Sequence, residues 1–301
     1  MEQLPFQKPG RFYRGNLHTH STESDGRQTP LQVVELYKGQ GYDFISITDH
    51  FAPAWDFQIT DTTELRSDGF TTLIGAELHT PALANGNPWH IVAVGLPLDF
   101  SGVGPHETGP ELAARAAETG AFIGIAHPAW YGLQLDEARS VEAAHAIEIY
   151  NETCTLLNDA GDSWYVADLL LEEGRRLSAY GADDMHGGAS DRPDAFGAWV
   201  WVRSESPEPD ALLAALKTGD YYTSQGPEIH DIQLDGTELY VSCSPATSIY
   251  LTGRAERSER LHGHRLVEAR FPLSLFAGSF CRVTVVDAAG KKAWSNPIWL
   301  E

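Results

Sequence analysis

Two histidines on either side of a threonine, His18 and His20, form the strongest local pattern with chemical potential in this sequence. Residues two apart on an extended strand point to the same side, roughly 6 to 7 Å from one another, so their imidazoles can converge on one cation. A second pair with this spacing, His262 and His264, lies in a turn-like, arginine-flanked segment without similar partners. We therefore interpret the first pair as part of a metal site and the second pair as structural.

Further side chains that bind metals follow the first pair, mostly at the ends of predicted strands. They are Asp25, Asp49, His50, Glu77, His79, His90, His127, Asp184 and His186. Each alone could be structural, but chance does not readily explain their joint placement. Mixed histidine and carboxylate ligation suits Zn²⁺, Mn²⁺ or Fe²⁺. About nine ligands exceed what one or two ions usually take when positions stay open for water and substrate, so we expect two or three ions, with three the natural count.

The elements that must position these residues are indicated by apolar periodicity. Between about residues 14 and 203, short apolar runs alternate with longer amphipathic stretches, which is typical of βα units. A helix is predicted to begin at Thr29-Pro30 and to end at Gly39 or Gly41, before a strand at 44–48. Further strands are predicted at 72–76, 91–94, 121–126, 146–150 and 177–180, and helices at 110–118 and 211–217. The simplest fold is an α/β barrel, which builds its active site at strand ends.

From Glu228 onward the sequence has the texture of an all-β region. Short β-branched or aromatic runs are separated by turn signals such as Asp235-Gly236. We place a domain boundary near Gly226-Pro227, so that a barrel at 1–226 is followed by a small β-sandwich-like domain at 227–301. The role of that domain is left open.

The charge of the chain is distributed unevenly. It contains 42 acidic and 21 basic residues, a formal net charge of -21, and 33 of the acidic but only 13 of the basic residues precede residue 227. Such a field disfavours duplex nucleic acid as a partner. A small anionic substrate remains compatible with a metal cluster.

Features that place a protein in a compartment are few. The three cysteines, Cys154, Cys243 and Cys281, are too scattered for a disulfide framework or a CxxC metal site and are predicted to be buried. The N-terminal residues lack the apolar region of a secretion signal, and no run of about 18 apolar residues occurs. We expect a cytoplasmic protein that does not enter a membrane.

Seven motifs, in this order, resemble those of the polymerase and histidinol phosphatase (PHP) family: HTHSTESDG, ITDH, GAE, HIVAVG, AHP, IEIYN and DMH. The resemblance covers roughly residues 14–226. It includes KTGDYYTSQGPEI, which is similar to the end of this domain in members with an appended β-domain. The resemblance implies a distorted (βα)7 barrel, a trinuclear metal site and phosphoester hydrolysis.

The resemblance also implies a set of ligands. One ion would be held by His18, His20, Glu77 and Asp184, a second by Glu77, His90 and His127, and a third by Asp25, His50 and His186. One family variant has a histidine in place of Asp25. Two alternatives stay open, because His79 could replace His90 and Asp183 could replace Asp184.

The expected reaction is hydrolysis of a small phosphate ester, such as a phosphorylated metabolite, a nucleotide or a short oligonucleotide. The attacking water would be activated by the metals on Glu77, His18, His20, Asp184, His90 and His127. Contacts to the substrate phosphate could come from Arg14, Arg27, Arg192 or His79, which lie near the ligand motifs, although a surface role is favoured for each of the three arginines. GxSxG and GxxxxGK[ST] motifs are absent from the sequence, which disfavours serine hydrolysis and P-loop chemistry.

Two other functions compete with this one. Amidohydrolase-type enzymes also place an HxH pair on an early barrel strand, but they often bridge two metals with a carboxylated lysine. The five lysines, Lys8, Lys38, Lys217, Lys291 and Lys292, do not follow a central strand. Alternatively, the metals stabilise a binding or regulatory module. The oligomeric state cannot be predicted.

Overall fold

Residues 3–187 and 194–300 are described by a computed structural model, and they form a mixed α/β fold with a large continuous sheet. The strands before residue 227 are β1 (Arg11–Asn16), β2 (Phe44–Ile47), β3 (His50–Phe51), β4 (Thr71–Thr80), β5 (Trp89–Val94), β6 (Phe122–Ile125), β7 (Ala146–Asn151), β8 (Ser178–Ala182), β9 (Trp199–Ser204) and β10 (Tyr221–Ser224). The α-helices are α1 (Pro30–Gly39), α2 (Gly109–Glu118), α3 (Pro128–Tyr131), α4 (Leu135–Ser140), α5 (Glu152–Asn158), α6 (Trp164–Glu172) and α7 (Pro209–Lys217).

Helix α1 shows why the local predictions succeed. The side chain of Thr29 accepts a hydrogen bond from the backbone N–H of Gln32, and the Gln32 side chain in turn accepts one from the Thr29 N–H. This capping box and Pro30 at the first helical position fix the start of the helix. The helix buries Val34 and Tyr37 against the sheet and ends at Gly39, so both predicted ends are confirmed.

The strand directions depart from a uniform βα pattern at β5. Strands β1, β2 and β4 are parallel neighbours, as are β6, β7 and β8, but β5 is antiparallel to both β4 and β6. The expected uniform alternation is therefore wrong here, because the eight residues at 81–88 are too few for a parallel crossover. His90, which we expected just before its strand, lies inside β5, close to the carboxyl ends of β4 and β6.

The two ends of the β1–β8 run meet just beyond the strands. The N–H of Asp184 donates to the carbonyl of His18 at 2.9 Å, and the N–H of His20 donates to the carbonyl of Met185 at 2.9 Å. Thr19 and Met185 thereby form a parallel bridge. These bonds bring the segments after β1 and β8 side by side, while a closed seven-unit barrel stays a prediction.

The region after residue 227 is all-β, as expected. Its strands are β11 (Ile229–Asp235), β12 (Glu238–Gly253), β13 (Ser258–Pro272), β14 (Ser279–Val286), β15 (Lys292–Ser295) and β16 (Ile298–Leu300). The pairing of the long strand β12 with β13 is irregular between Ser242 and Ser248. This region has a hydrophobic core of its own, with Ile249, Phe276 and Val283 fully buried.

The sheet continues across the predicted boundary at Gly226-Pro227, because β10 pairs with both β9 and β15. The boundary itself stays a prediction. The cysteines are free and buried, as expected. None of the helices in the described ranges is long and apolar enough to cross a membrane.

Candidate metal centre

The sheet brings most of the predicted ligands to one edge. His18 and His20 follow β1, Glu77 and His79 lie in β4, His50 opens β3, His90 lies near the start of β5, and His127 follows β6. Asp184 and His186 follow β8. Because β5 runs in the opposite direction to its neighbours, its beginning lies at the same edge as their ends. The antiparallel strand therefore adds His90 to the cluster.

Glu77 lies at the centre of this cluster and is 1% exposed. One carboxylate oxygen, Oε1, lies 2.9 Å from His90 Nδ1, 3.0 Å from His127 Nε2 and 3.6 Å from His18 Nε2. The other, Oε2, lies 2.8 Å from His50 Nδ1, 3.3 Å from His79 Nε2 and 3.7 Å from His20 Nε2. A single carboxylate thus faces six imidazoles, which suits a bridging position.

Asp184 forms a second carboxylate of the cluster. Its Oδ1 lies 2.9 Å from His20 Nε2 and 3.2 Å from His18 Nε2. The residue has a left-handed backbone with φ of 54°, which is uncommon for an aspartate and concentrates at functional sites. The hydroxyl of Thr153 donates to the Asp184 carbonyl at 2.7 Å and helps to hold this conformation.

The neighbouring Asp183 has a different environment. Its carboxylate accepts hydrogen bonds from the Tyr37 hydroxyl at 2.7 Å and from the backbone N–H groups of Phe196, Gly197 and Ala198. Burial raises the pKa of Asp183 to about 7, although these donors oppose the shift. The structure therefore brings Asp184 into the cluster and uses Asp183 to join α1 to the segment before β9.

A third group of donors forms around Asp25. Its Oδ1 lies 3.3 Å from both His50 Nε2 and His186 Nε2, and 3.8 Å from His20 Nδ1. Asp49 shapes the loop that carries Asp25, because its carboxylate accepts from the Ser21 N–H at 2.7 Å and the Ser24 hydroxyl at 2.6 Å.

His79 and His90 face each other across β4 and β5, with ring centroids 4.4 Å apart. His90 groups with Glu77 and His127, whereas His79 groups with Glu77 and His50. His79 Nε2 lies 2.7 Å from His50 Nδ1. Both imidazoles thus reach Glu77, and the choice between them as a ligand belongs to the proposal below.

The donor atoms have the character of metal ligands. Among the described residues, His18 Nε2, His20 Nε2 and Asp184 Oδ1 are buried and make no hydrogen bond of good geometry, although Asp184 Oδ1 lies 2.9 Å from His20 Nε2 and 3.2 Å from His18 Nε2. Buried polar atoms in proteins usually make well-formed hydrogen bonds, so three that face one another without such bonds are consistent with a shared cation. Five overlapping groups of three or four donors have all their atoms within 4.8 Å, a spacing that fits cations.

The pKa shifts of His18 and Glu77 also favour positive charge in the cluster. Burial alone would lower the pKa of His18, but the carboxylates of Asp184, Glu148 and Glu77 outweigh it and raise that pKa well above its ordinary value. Burial would raise the pKa of Glu77, yet the surrounding histidines hold it well below its ordinary value. The cluster therefore keeps its carboxylates ionised and attracts positive charge.

Two residues of the cluster's surroundings were missed by the sequence analysis. Glu148 is fully buried. Its Oε1 lies 3.1 Å from His18 Nδ1, and its Oε2 accepts a hydrogen bond from the backbone N–H of His127 at 2.7 Å. The Asn151 amide donates to Glu148 Oε2 and to Asp184 Oδ2, each at 3.1 Å. Such outer partners orient metal ligands. The available signal was the IEIYN motif itself, which contains both residues but to which no role was assigned.

The arginines proposed as phosphate contacts are placed differently from one another. The Arg14 guanidinium stacks on the rings of Tyr42 and Trp199, at 4.0 and 3.7 Å, so its contacts lie away from the cluster. The backbone N–H of Arg27 donates to the carbonyl of His186 at 2.8 Å, which places this exposed residue beside the cluster. Arg192 lies outside the described residues.

Comparisons with known proteins give matches among solved structures. No family model and no curated protein matches the sequence. A two-domain protein from Bacteroides vulgatus, containing a predicted PHP-like metal-dependent phosphoesterase, matches with a TM-score of 0.56 and 20% identity, over 100% of this chain and 99% of that chain. This whole-chain match confirms, for the fold, the resemblance that the motifs indicated.

Two further structures match with lower scores. An amidohydrolase from Chromobacterium violaceum has a TM-score of 0.41 and 16% identity, and a candidate metal-dependent phosphoesterase from Bifidobacterium adolescentis has 0.43 and 14%. Each match covers 59% of this chain and 89% of the other. These scores are too low to choose between the two activities.

Proposed function

We propose that this protein is a metal-dependent phosphoesterase that cleaves small phosphate esters with a metal-activated water at a centre of three cations. The observation that carries the proposal is the convergence of buried imidazoles on the carboxylates of Glu77 and Asp184. This arrangement suits cations that share ligands. The whole-chain similarity to a PHP-like protein agrees with it.

The proposed assignment keeps the three ligand sets that the family resemblance implies. The first cation is assigned to His18, His20, Glu77 and Asp184, the second to Glu77, His90 and His127, and the third to Asp25, His50 and His186. When bound, divalent cations at such a site lower the pKa of a coordinated water toward neutrality and offset the charge of phosphoryl oxygens. Their identity is proposed to be Zn²⁺, Mn²⁺ or Fe²⁺.

The contribution of the protein is to hold these groups in place. Glu148 faces His18 Nδ1, which favours the tautomer that carries its proton there and leaves Nε2 free to bind a cation. Asn151 holds the second carboxylate oxygen of Asp184, so Oδ1 stays turned toward the histidines. Burial of the cluster strengthens every charge interaction within it.

The lysines argue against the amidohydrolase alternative. Lys8 pairs with Asp220, Lys38 donates to the Ser67 hydroxyl, and Lys217 donates to the Gly120 carbonyl. The remaining two lysines lie beyond residue 227. On this proposal the bridging ligand is the Glu77 carboxylate and no lysine is required.

The decisive experiment is a screen of the protein after removal of its metals and separate reloading with Zn²⁺, Mn²⁺ and Fe²⁺. Sugar phosphates, nucleotides, nucleoside bisphosphates and histidinol phosphate are assayed beside amide and lactone substrates. We expect three cations per chain by elemental analysis and turnover of phosphate esters only after reloading. Turnover confined to amides or lactones would contradict the proposal, and tight metal binding without any turnover would favour a binding module.

A further inference from the structure

A cavity of about 450 Å³ opens directly beside the metal cluster. His50, His79 and His90 form the side of the cavity that faces the cluster, and the other walls come from the segments 52–55 and 80–88. This volume lies within the roughly 300–1,000 Å³ of small-molecule sites. Because three members of the cluster line it, a group that fills the cavity would lie next to a phosphate held at the proposed metal centre.

One wall is an aromatic ring held in a fixed position. The Trp55 indole stacks on the His50 ring, with centroids 5.0 Å apart and planes 30° from parallel. The backbone N–H groups of Trp55 and Phe57 both donate to the carbonyl of Ala52. The next two residues, Asp56 and Phe57, are left-handed with φ of 51° and 54°, which costs on the order of 1–3 kcal/mol per residue. Such a loop persists only when its surroundings impose it.

The opposite wall is equally tied down. The side-chain amides of Asn85 and Asn87 donate to the carbonyl of Tyr131 at 2.8 and 3.1 Å. Pro81 and Pro88 further limit the backbone of this segment. Since Tyr131 ends the short helix that follows His127, the wall is fixed relative to the cluster itself.

The chemistry of the walls restricts what they can hold. Apart from the three histidines, none of the described residues that line the cavity carries a charge. The Thr80 hydroxyl already donates to the Glu107 carbonyl at 2.5 Å. A sugar here would lose water from its hydroxyls without gaining enough partners, and that desolvation is unfavourable. A flat apolar ring would instead gain from burial and from stacking on Trp55.

We propose that this cavity binds a flat, uncharged ring system attached to the phosphate, and that Trp55 determines this specificity. The inference rests on the proposed phosphoesterase function and narrows its substrates to esters that carry an aryl group or a nucleobase. Bare sugar phosphates are poor ligands on this proposal.

The test uses phosphonates, which are not hydrolysed, so that binding is measured without turnover. The metal-loaded full chain is titrated calorimetrically with 2-phenylethylphosphonate and with ethylphosphonate. We expect the ring to tighten binding on the order of tenfold or more, in line with specificity from apolar pockets. Trp55→Ala removes most of this preference, whereas Trp55→Phe, which keeps a flat ring, retains most of it.

Tyr165→Ala serves as the matched control, because Tyr165 is a 77% exposed aromatic residue outside the cavity, and its removal leaves the preference unchanged. Turnover of AMP against ribose 5-phosphate, and of 2-phenylethyl phosphate against ethyl phosphate, then shows whether the ring is a nucleobase or an aryl group. Equal affinity for the two phosphonates overturns the inference. A ring preference without turnover of any ester leaves the cavity as proposed and refutes the phosphoesterase function.

Discussion

The chain contains the same His-x-His spacing twice, and the two copies have different fates. His18 and His20 are fully buried and meet Glu77 and Asp184, which come from distant parts of the sequence. His262 and His264 lie exposed on β13, where His262 contacts the Ser248 hydroxyl at 3.0 Å and the edge of Tyr250. Spacing aligns two imidazoles, but a metal site also needs further ligands, and only the first pair has them within reach from other strands.

The region before residue 227 and the β-region also differ in their charge. Nearly all of the net negative charge precedes residue 227, whereas the β-region carries 9 acidic and 8 basic residues. Three of the acids in the first region, Glu77, Glu148 and Asp184, are buried in or beside the cluster. Buried carboxylates are tolerated only when positive charge lies nearby. These three negative charges therefore depend on the surrounding histidines and on the proposed cations.

Removing each histidine pair in turn should affect bound cations and kcat/KM very differently. In His18→Ala/His20→Ala we expect loss of bound cations and a fall in kcat/KM beyond the roughly 10- to 100-fold seen for outer partners of metal ligands. In His262→Ala/His264→Ala both quantities should match the parent protein. Elemental analysis and phosphatase kinetics measure the difference, and an equal loss in both variants would refute the assignment.

The next effect concerns the partner of His18 that sequence analysis missed. Glu148→Gln keeps the shape of the side chain but removes the charge that faces His18 Nδ1 and His127. We expect metal affinity or activity to fall by about 10- to 100-fold. Glu268→Gln, at an exposed carboxylate of the β-region that contacts the Tyr240 hydroxyl, is the control. Unchanged metal titrations in Glu148→Gln would show that His18 needs no outer partner.

A smaller effect separates two adjacent aspartates. Asp183→Asn should lower the free energy of unfolding by about 1–3 kcal/mol, because each carboxylate oxygen accepts two hydrogen bonds and the amide keeps only one oxygen. It should retain its cations. Asp184→Asn should keep a similar free energy of unfolding, since asparagine accepts a left-handed backbone. It should lose cations, because the carboxylate charge is gone. Urea unfolding and elemental analysis of both variants decide, and cation loss in Asp183→Asn would reverse the assignment.

The smallest expected effect is at Arg14. Its guanidinium stacks on Tyr42 and Trp199, so Arg14→Met should lower stability by about 0.5–2 kcal/mol through the lost cation–π contacts. Its kcat/KM should stay close to that of the parent protein. A large fall in kcat/KM with unchanged stability would restore Arg14 as a contact of the substrate.

Local signals carried the successful part of the sequence analysis. The cap at Thr29, the end of α1 and the apolar strand runs depend on neighbouring residues, so they can be recognised one segment at a time. The order of ligand motifs also placed the donors that meet around Glu77. The direction of β5 was missed because the predicted strands at 72–76 and 91–94 leave about fourteen residues between them, which is enough for a parallel crossover, whereas the observed strands leave only the eight residues at 81–88.

Other features had weak signals or none. Glu148 lies in the quoted IEIYN motif, but its role depends on two histidines more than twenty residues away in the sequence, so the motif alone does not reveal it. The choice between Asp183 and Asp184 turned on a left-handed backbone at the second residue. The pairing of β10 with β15 joins segments about seventy residues apart, and strand pairing at that distance depends on the whole fold.

The position of β10 has a consequence for how the protein unfolds. This strand completes hydrogen-bond ladders on both of its sides, and its Tyr222 belongs to the apolar core of the β-region together with Phe12 and Trp201. Cutting the chain after residue 226 would therefore expose a row of unpaired amides and an aromatic surface, which favours aggregation. We expect the amide hydrogens of β10 to exchange only when both regions open together, so that one melting transition governs the whole chain.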